Sequence, residues 1–267
     1  MKKFLRDVVL YALPVLAMLL LYCGVQYRYF PAPHLTNNLA LNEKAAAYAR
    51  LADHHVDVLA CGSSMTLNNL STPAVLEHFN DASYFNLGAW GLDVMQTCDL
   101  IRAALPETKP KTVVIVTSLM DFAAGGERST AEMEMVIRHV HAGMGLRSYL
   151  ADPGIVYYLR RMETNRLRFT DRANYECLMM DANGGVYLQV PPDRILPDRW
   201  NKAVPTAAEL DSTQYAELGS LARDLHAQGV RLVVIAPPYR NGVLTPEASA
   251  VVAAHNARLQ LLMSSKG

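Results

Sequence analysis

The chain has 267 residues, of which 51% are hydrophobic and 19% are charged. This length and composition fit one folded domain with appendages, exclude a disulfide-stapled miniprotein and argue against extended disorder. The 25 basic residues balance the 25 acidic ones, so the formal charge is zero. Because nucleic-acid-binding proteins normally carry a basic surface, we expect no nucleic-acid partner.

The N-terminal segment has the pattern of a membrane anchor. Residues 8–25 form a run of 18 residues without a charge, which with its flanks is long enough to cross a bilayer as a helix. Lys2, Lys3 and Arg6 precede this run and outnumber Arg28 after it, so the positive-inside rule predicts a cytoplasmic N-terminus. We therefore expect a single-pass protein of the inner (cytoplasmic) membrane, with its C-terminal domain facing the periplasm or the cell exterior.

A cleaved signal peptide and a buried helix are the alternatives for this segment. A cleavage site requires small residues, whereas Tyr22 stands where a small residue belongs, and the same side chain before Cys23 argues against a lipidation site. The four cysteines give little support to a disulfide framework, because Cys23 lies in the predicted span. We expect Cys61 and Cys98 to be buried thiols, since both lie in apolar surroundings.

Beyond the anchor (1–30) we predict a stalk over 31–52 and an α/β domain over 53–267. Short apolar runs alternate there with helical segments, which indicates a mainly parallel sheet with helices on both faces, a flavodoxin-like three-layer α/β/α sandwich. Parallel connections should be right-handed. The predicted strands cover 56–61, 82–87, 111–118 and 230–236; the predicted helices cover 71–79, 92–105 and 206–228, and a last one opens at 245–247.

Residues 121–205 interrupt this alternation and are interpreted as an insertion. Within them, 129–141 and part of 143–168 have helical patterns, and 186–188 has the pattern of a strand. An insertion of this length between core strands is typical of a cap or an interaction surface.

Small and polar residues follow each predicted strand at its carboxyl end, where parallel sheets bind ligands. They are residues 62–65, 86–91, 118–121 and 237–240. A serine on a tight turn into a helix can attack an acyl group while its own backbone N–H faces the developing oxyanion, and nearby glycines let the backbone supply a second donor. Taken alone, Gly-Ser-Ser favours a simple turn, since such tripeptides are common; its place after the first predicted strand, together with residues 86–91 after the second, favours a site.

These blocks resemble those of the SGNH (GDSL-like) hydrolases, in particular the membrane-anchored members that modify cell-envelope polysaccharides. The resemblance covers about 53–122 and 229–240. It implies that Ser64 is the catalytic nucleophile, with Ser63 at the variable position of the first block. Asn86, Gly88 and Gly91 match the second block, so the N–H groups of Gly91 and Ser64 would form the oxyanion hole.

The chain departs from the family pattern in two blocks. In the third, Met120 stands where the family has an asparagine, although Asp121 is retained as a substrate-site residue. The fourth block is a D-x-x-H after a fifth strand, and none follows Val230, so the C-terminal block is expected to be missing. The other histidines considered as a base are His54, His55, His139, His141, His226 and His255; the first two and His226 are predicted at the wrong end of the sheet.

The resemblance implies an enzyme that transfers or removes an acyl group, such as acetyl, on a cell-envelope polysaccharide through an acyl-serine at Ser64. A membrane-bound O-acyltransferase is its candidate partner. The departures leave open a catalytically incomplete scaffold or glycan-binding partner of such an acyltransferase, or a coding sequence cut short from an active parent. No nucleotide-binding motif is present, and no carboxylate or thiol cluster accompanies His139 and His141, so we expect neither a cofactor nor a metal.

Overall fold

The structure is a computed structural model that describes residues 2–29, 38–49, 51, 54–123, 136–137, 179–187, 203–239 and 244–264. Most of the predicted insertion, including the helical patterns at 129–141 and 143–168, lies outside these residues. The described helices are α1 (Lys2–Tyr29), α2 (Leu39–Ala49), α3 (Ser64–Asn69), α4 (Thr72–His78), α5 (Val94–Thr108), α6 (Ser212–Ala227) and α7 (Pro246–Ser264), with short 3-10 helices at Leu119–Phe122 and Ala207–Glu209. The strands are β1 (Val58–Ala60), β2 (Tyr84–Asn86), β3 (Thr112–Val116), β4 (Met179–Met180), β5 (Val186–Tyr187) and β6 (Arg231–Ile235).

Four of these strands form a parallel sheet in the order β2-β1-β3-β6. The prediction of a parallel α/β fold is therefore confirmed. The chain places β2 on one side of β1 and β3 on the other, so the topological switch point lies between β1 and β3. In such sheets the crevice at the carboxyl ends of the two switch-point strands is the preferred ligand site. The predicted strand at 186–188 is also present, as β5, which pairs antiparallel with β4.

Side chains of the sheet alternate between two apolar faces, as the two-residue period of a strand requires. Leu59, Val113 and Ile115 belong to the larger core, to which α5 and α6 contribute. Val58 and Val114 point to the opposite face and pack in a smaller cluster that includes residues of α4. Burial on both faces explains why these strands are continuous apolar runs.

The last described strand of the sheet is less buried than its sequence predicted. We expected 230–236 to be a buried strand, but β6 pairs on only one side within the described sheet. Leu232, Val233 and Val234 are partly buried, and Ile235 is 40% exposed. An edge position explains the difference, because an edge strand has a neighbour on one side only.

Helix α2, expected within the stalk, packs into the domain. Ala40, Leu41 and Tyr48 are almost completely buried and belong to the larger core, where the Tyr48 ring contacts Phe85 of β2 at a centroid distance of 6.0 Å. This part of the predicted stalk is therefore a structural element of the folded domain. Its weakly amphipathic, alanine-rich sequence did not reveal this packing.

Helix α1 is long and apolar enough to cross a membrane, judged by its length and composition. Its described side chains from Val8 to Leu21 are exposed, and Pro14 lies inside the helix. Cys61 and Cys98 are buried free thiols, as expected from their apolar surroundings.

The turn that leaves β1 depends on contacts between Gly62 and Thr66. The Thr66 hydroxyl accepts a hydrogen bond from the Val116 N–H (2.9 Å) and lies 2.9 Å and 3.2 Å from the carbonyl oxygens of Val116 and Cys61, to which it can donate. It thereby joins the ends of β1 and β3. Gly62 has a φ of +154°, and a Cβ at this position would stand 2.2 Å from the Thr66 hydroxyl oxygen.

We predict that Gly62→Ala lowers the free energy of unfolding by about 3 kcal/mol or more, because it combines backbone strain with a steric clash. The matched control is Gly229→Ala at the end of α6. Its φ is +71° and nothing lies within 4 Å of the added Cβ, so only backbone strain of about 1 kcal/mol is expected there. Urea denaturation of the full chain in detergent measures both values, and equal losses would contradict the role of the Thr66 contact.

Candidate active site

The two serines after β1 have different environments. Ser63 is the N-cap residue of α3; it is buried, and its hydroxyl accepts the Met65 N–H at 3.1 Å. Ser64 is the first residue of α3 and is partly buried. Within the described part of the chain the Ser64 hydroxyl forms no hydrogen bond, so of the two serines it is the one available to a ligand.

Asp121, in the 3-10 helix after β3, ties the ends of β1 and β3 together. Its Oδ2 accepts hydrogen bonds from the Ser63 hydroxyl (2.9 Å), the Thr117 hydroxyl (3.0 Å) and the Ser118 N–H (2.8 Å). The sequence-predicted residue Asp121 is thus brought to β1, but it binds Ser63 and not the predicted nucleophile Ser64. Burial is the main cause that raises the pKa of Asp121 to about 6, against the lowering effect of these hydrogen bonds.

The end of β6 reaches the same edge of the sheet through Tyr239. The Leu119 N–H donates a hydrogen bond to the Tyr239 hydroxyl oxygen at 3.1 Å. Burial raises the pKa of Tyr239, and the nearby Asp121 carboxylate raises it further. Three of the four predicted strand ends therefore meet here. Arg240, at the fourth predicted strand end (237–240), lies outside the described residues.

The space around Asp121 is too small for a substrate. A cavity of about 10 Å³ lies beside its carboxylate, which is room for one water molecule at most. Its lining residues are Gly62, Ser63, Val94, Thr97, Ile115, Thr117, Asp121 and Leu218. A substrate would therefore have to bind outside this cavity. Met120, the residue before Asp121, is 43% exposed.

The predicted oxyanion loop after β2 is held by Asn86. This fully buried side chain accepts the Gly88 N–H through Oδ1 (2.7 Å) and donates through Nδ2 to the Thr66 carbonyl oxygen (3.2 Å). The Gly88 N–H and the Asn86 amide are therefore used within the fold. Gly91 is exposed, and its φ of +64° is a left-handed conformation that favours glycine.

Among the described residues, no histidine is hydrogen-bonded to the Ser64 hydroxyl. By topology, His54 lies before the amino end of β1, and His226 lies at the end of α6, before the amino end of β6. His255 of α7 is buried, with its Nδ1 2.7 Å from the Tyr215 hydroxyl and its ring against Phe122. Burial lowers the pKa of His255 to about 4. His139 and His141 lie outside the described residues.

Three features of this site were not predicted from the sequence: the inward-facing Ser63, the Thr117 contact and the buried Lys44, which contacts the end of β2. The sequence did carry a signal for the hydrogen bond between Asp121 and the Ser118 N–H, because these two residues have the S-x-x-D spacing of a helix N-terminus.

No group of three or more His, Cys, Asp or Glu side chains able to hold a metal occurs among the described residues. No protein-family model, curated protein or solved structure matches the chain.

We predict that replacing Asp121 by Asn removes a pH dependence of stability. Its folded pKa of about 6 exceeds the unfolded value near 4, so its contribution to stability is complete below about pH 4 and is lost as the pH rises through 6. The free energy of unfolding of the wild type, minus that of Asp121→Asn, should fall by roughly 2 to 3 kcal/mol between pH 4 and pH 7. Urea denaturation across this range measures the difference.

Asp211→Asn is the control for this titration. Asp211 caps α6, and hydrogen bonds from Thr213 lower its pKa. The contribution of Asp211 to the free energy of unfolding is therefore lost as the pH falls, whereas that of Asp121 is lost as the pH rises. A wild-type minus Asp121→Asn difference that stays constant or rises with pH would contradict the assigned pKa.

Proposed function

We propose that this protein is a membrane-anchored relative of the SGNH hydrolases that adds or removes an acyl group, such as acetyl, on a cell-envelope polysaccharide. The acyl group would pass through an ester on the Ser64 hydroxyl. In this proposal α1 anchors the chain in the inner membrane with a cytoplasmic N-terminus, and the α/β domain faces the periplasm or cell exterior. A membrane-bound O-acyltransferase would be its partner.

One observation carries the proposal. Ser64 follows the turn that leaves β1, a strand of the topological switch point, and its hydroxyl is not hydrogen-bonded within the described residues, while its neighbour Ser63 is held by Asp121. A nucleophile has to be presented in this way to reach a carbonyl carbon. The strand order β2-β1-β3-β6 also has the start of the flavodoxin-like order, which supports a three-layer sandwich of that kind.

The backbone N–H of Gly91 is assigned to the oxyanion hole in the proposed reaction, together with that of Ser64. An oxyanion donor of this kind contributes about 3 kcal/mol of transition-state stabilisation. Gly88 and Asn86 would then stabilise the conformation of the loop and would not bind the substrate, because the Gly88 N–H already donates to Asn86 Oδ1. Asp121 would hold the turn that carries Ser64, so it acts on the nucleophile through Ser63.

A second candidate, a glycan-binding or scaffolding protein without catalysis, is favoured by a different observation. The polar side chains that match the family blocks, Asp121 and Asn86, use their hydrogen-bonding capacity within the domain. The ring of His255 is directed to Tyr215. If these bonds persist when a ligand is bound, the remaining surface could bind a sugar without activating Ser64.

Turnover of an activated acetyl ester separates the two candidates. We predict that Ser64→Ala lowers the hydrolysis rate of 4-nitrophenyl acetate by at least a hundredfold, because no acyl-serine can form. Ser71→Ala is the matched control: Ser71 is an exposed serine before α4 whose side chain makes no capping bond, so the rate should not change. Absent turnover, with polysaccharide binding that survives Ser64→Ala, would contradict the enzyme and support the second candidate.

A further inference from the structure

Two side chains of the α2 region contact the two ends of the β2 loop, defined as residues 87–91. Lys44 Nζ donates a hydrogen bond to the carbonyl oxygen of Asn86 (2.7 Å), the residue before the loop, and another to the carbonyl oxygen of Gly184. Asn38, just before α2, donates through Nδ2 to the carbonyl oxygen of Trp90 near the end of the loop. The loop is therefore held from both ends by one helix and its preceding residue.

Burying Lys44 requires a compensating interaction. Its side chain has no exposed surface, and burial lowers the pKa of its ammonium group to about 7, against the attraction of Asp181. A methionine would fill a similar volume without the desolvation cost of a charged or polar amine. The desolvation cost of Lys44 is offset by its hydrogen bonds to the carbonyl oxygens of Asn86 and Gly184. The position of Lys44 and the position of the Asn86 carbonyl therefore depend on each other.

The Asn86 residue transmits this constraint to the loop. Its carbonyl is fixed by Lys44, its N–H donates to the Asn183 carbonyl oxygen at 2.8 Å, and its side chain binds the Gly88 N–H. The turn at Gly184 approaches closely, because a Cβ there would stand 2.6 Å from the Asn86 carbonyl oxygen. These hydrogen bonds fix the peptide groups at which the chain passes from β2 into the β2 loop.

We propose that Lys44 and Asn38 are positioning residues that set the conformation of the β2 loop, and that this couples the first helix after the membrane segment to the site. Only residues 30–38 separate α1 from α2 in the chain. The role of the loop as an oxyanion donor rests on the proposed function. The positioning itself rests on the hydrogen bonds and the burial of Lys44.

Hydrogen exchange of the full chain in detergent, read by mass spectrometry, tests the proposal. Two loop amides report on it: the Gly88 N–H, bound to Asn86 Oδ1, and the Ala89 N–H, bound to the Gly62 carbonyl oxygen. In Lys44→Met we expect these amides to exchange at least tenfold faster, while the amides of β3 (112–116) keep their wild-type rates. Lys109→Met, an exposed lysine at the end of α5, is the control and should change neither set.

If Lys44 stabilises the whole domain and does not position the β2 loop, the pattern of hydrogen exchange is different. Loop amides that exchange as in the wild type would overturn the proposal, and so would loop and β3 amides that accelerate by the same factor, because that result reports global destabilisation. If Lys44→Met does not fold, Asn38→Ala decides. It should accelerate exchange in 87–91 and at the Leu41 N–H, which donates to Asn38 Oδ1 (3.1 Å), while the β3 amides keep their wild-type rates; unchanged loop exchange would overturn the proposal. Ester turnover is measured separately, so its absence in the wild type would contradict the proposed function and leave the exchange result standing.

Discussion

The hydroxyl of Thr66 is the contact on which this edge of the molecule depends. It lies between the last residues of β1 and β3, fully buried, and binds backbone groups that the two strands leave unpaired where they end. Because the turn after β1 is folded back against it, α3 starts at a defined place, and Ser63 and Ser64 take different directions. Next to this bridge, Ser63 is held by Asp121 and by the Met65 N–H, which leaves Ser64 as the available serine of the turn.

The same edge buries two ionisable side chains, and neutral dipoles hold both of them. Hydroxyl groups and a backbone N–H surround the carboxylate of Asp121, whereas backbone carbonyl oxygens receive the ammonium group of Lys44. Burial shifts both pKa values towards neutrality, upward for the acid and downward for the base. Each buried group therefore fixes the end of a strand at a cost in desolvation. Asp121 holds the end of β3, and Lys44 of α2 holds the end of β2.

The strands of the sheet could be predicted because their apolar, β-branched runs are long enough to be recognised without knowledge of their neighbours. The common location of the strand ends also followed, since the carboxyl ends of parallel strands lie at one edge of the sheet; the order of the strands was not predicted. What the sequence could not reveal is which side chain turns inward at the Gly62 turn, because that depends on a backbone angle and on Thr66. The packing of α2 was missed because its alanine-rich sequence has no strong amphipathic period. The contacts that bury the helix are long-range: Tyr48 packs on Phe85, and Lys44 binds the Asn86 carbonyl oxygen. The partial exposure of β6 was missed because the run 230–236 does not reveal whether a strand has one neighbour or two.

We have proposed that Ser64, and not Ser63, presents a reactive hydroxyl at the switch point of the sheet. The most direct test of this proposal is the site of covalent modification by a serine-directed fluorophosphonate, located by fragment-ion mass spectrometry of the full chain after digestion. We expect an adduct on Ser64, with Ser63 unmodified because its hydroxyl is buried and bound to Asp121. An adduct on Ser63, or no adduct on either serine, would contradict it.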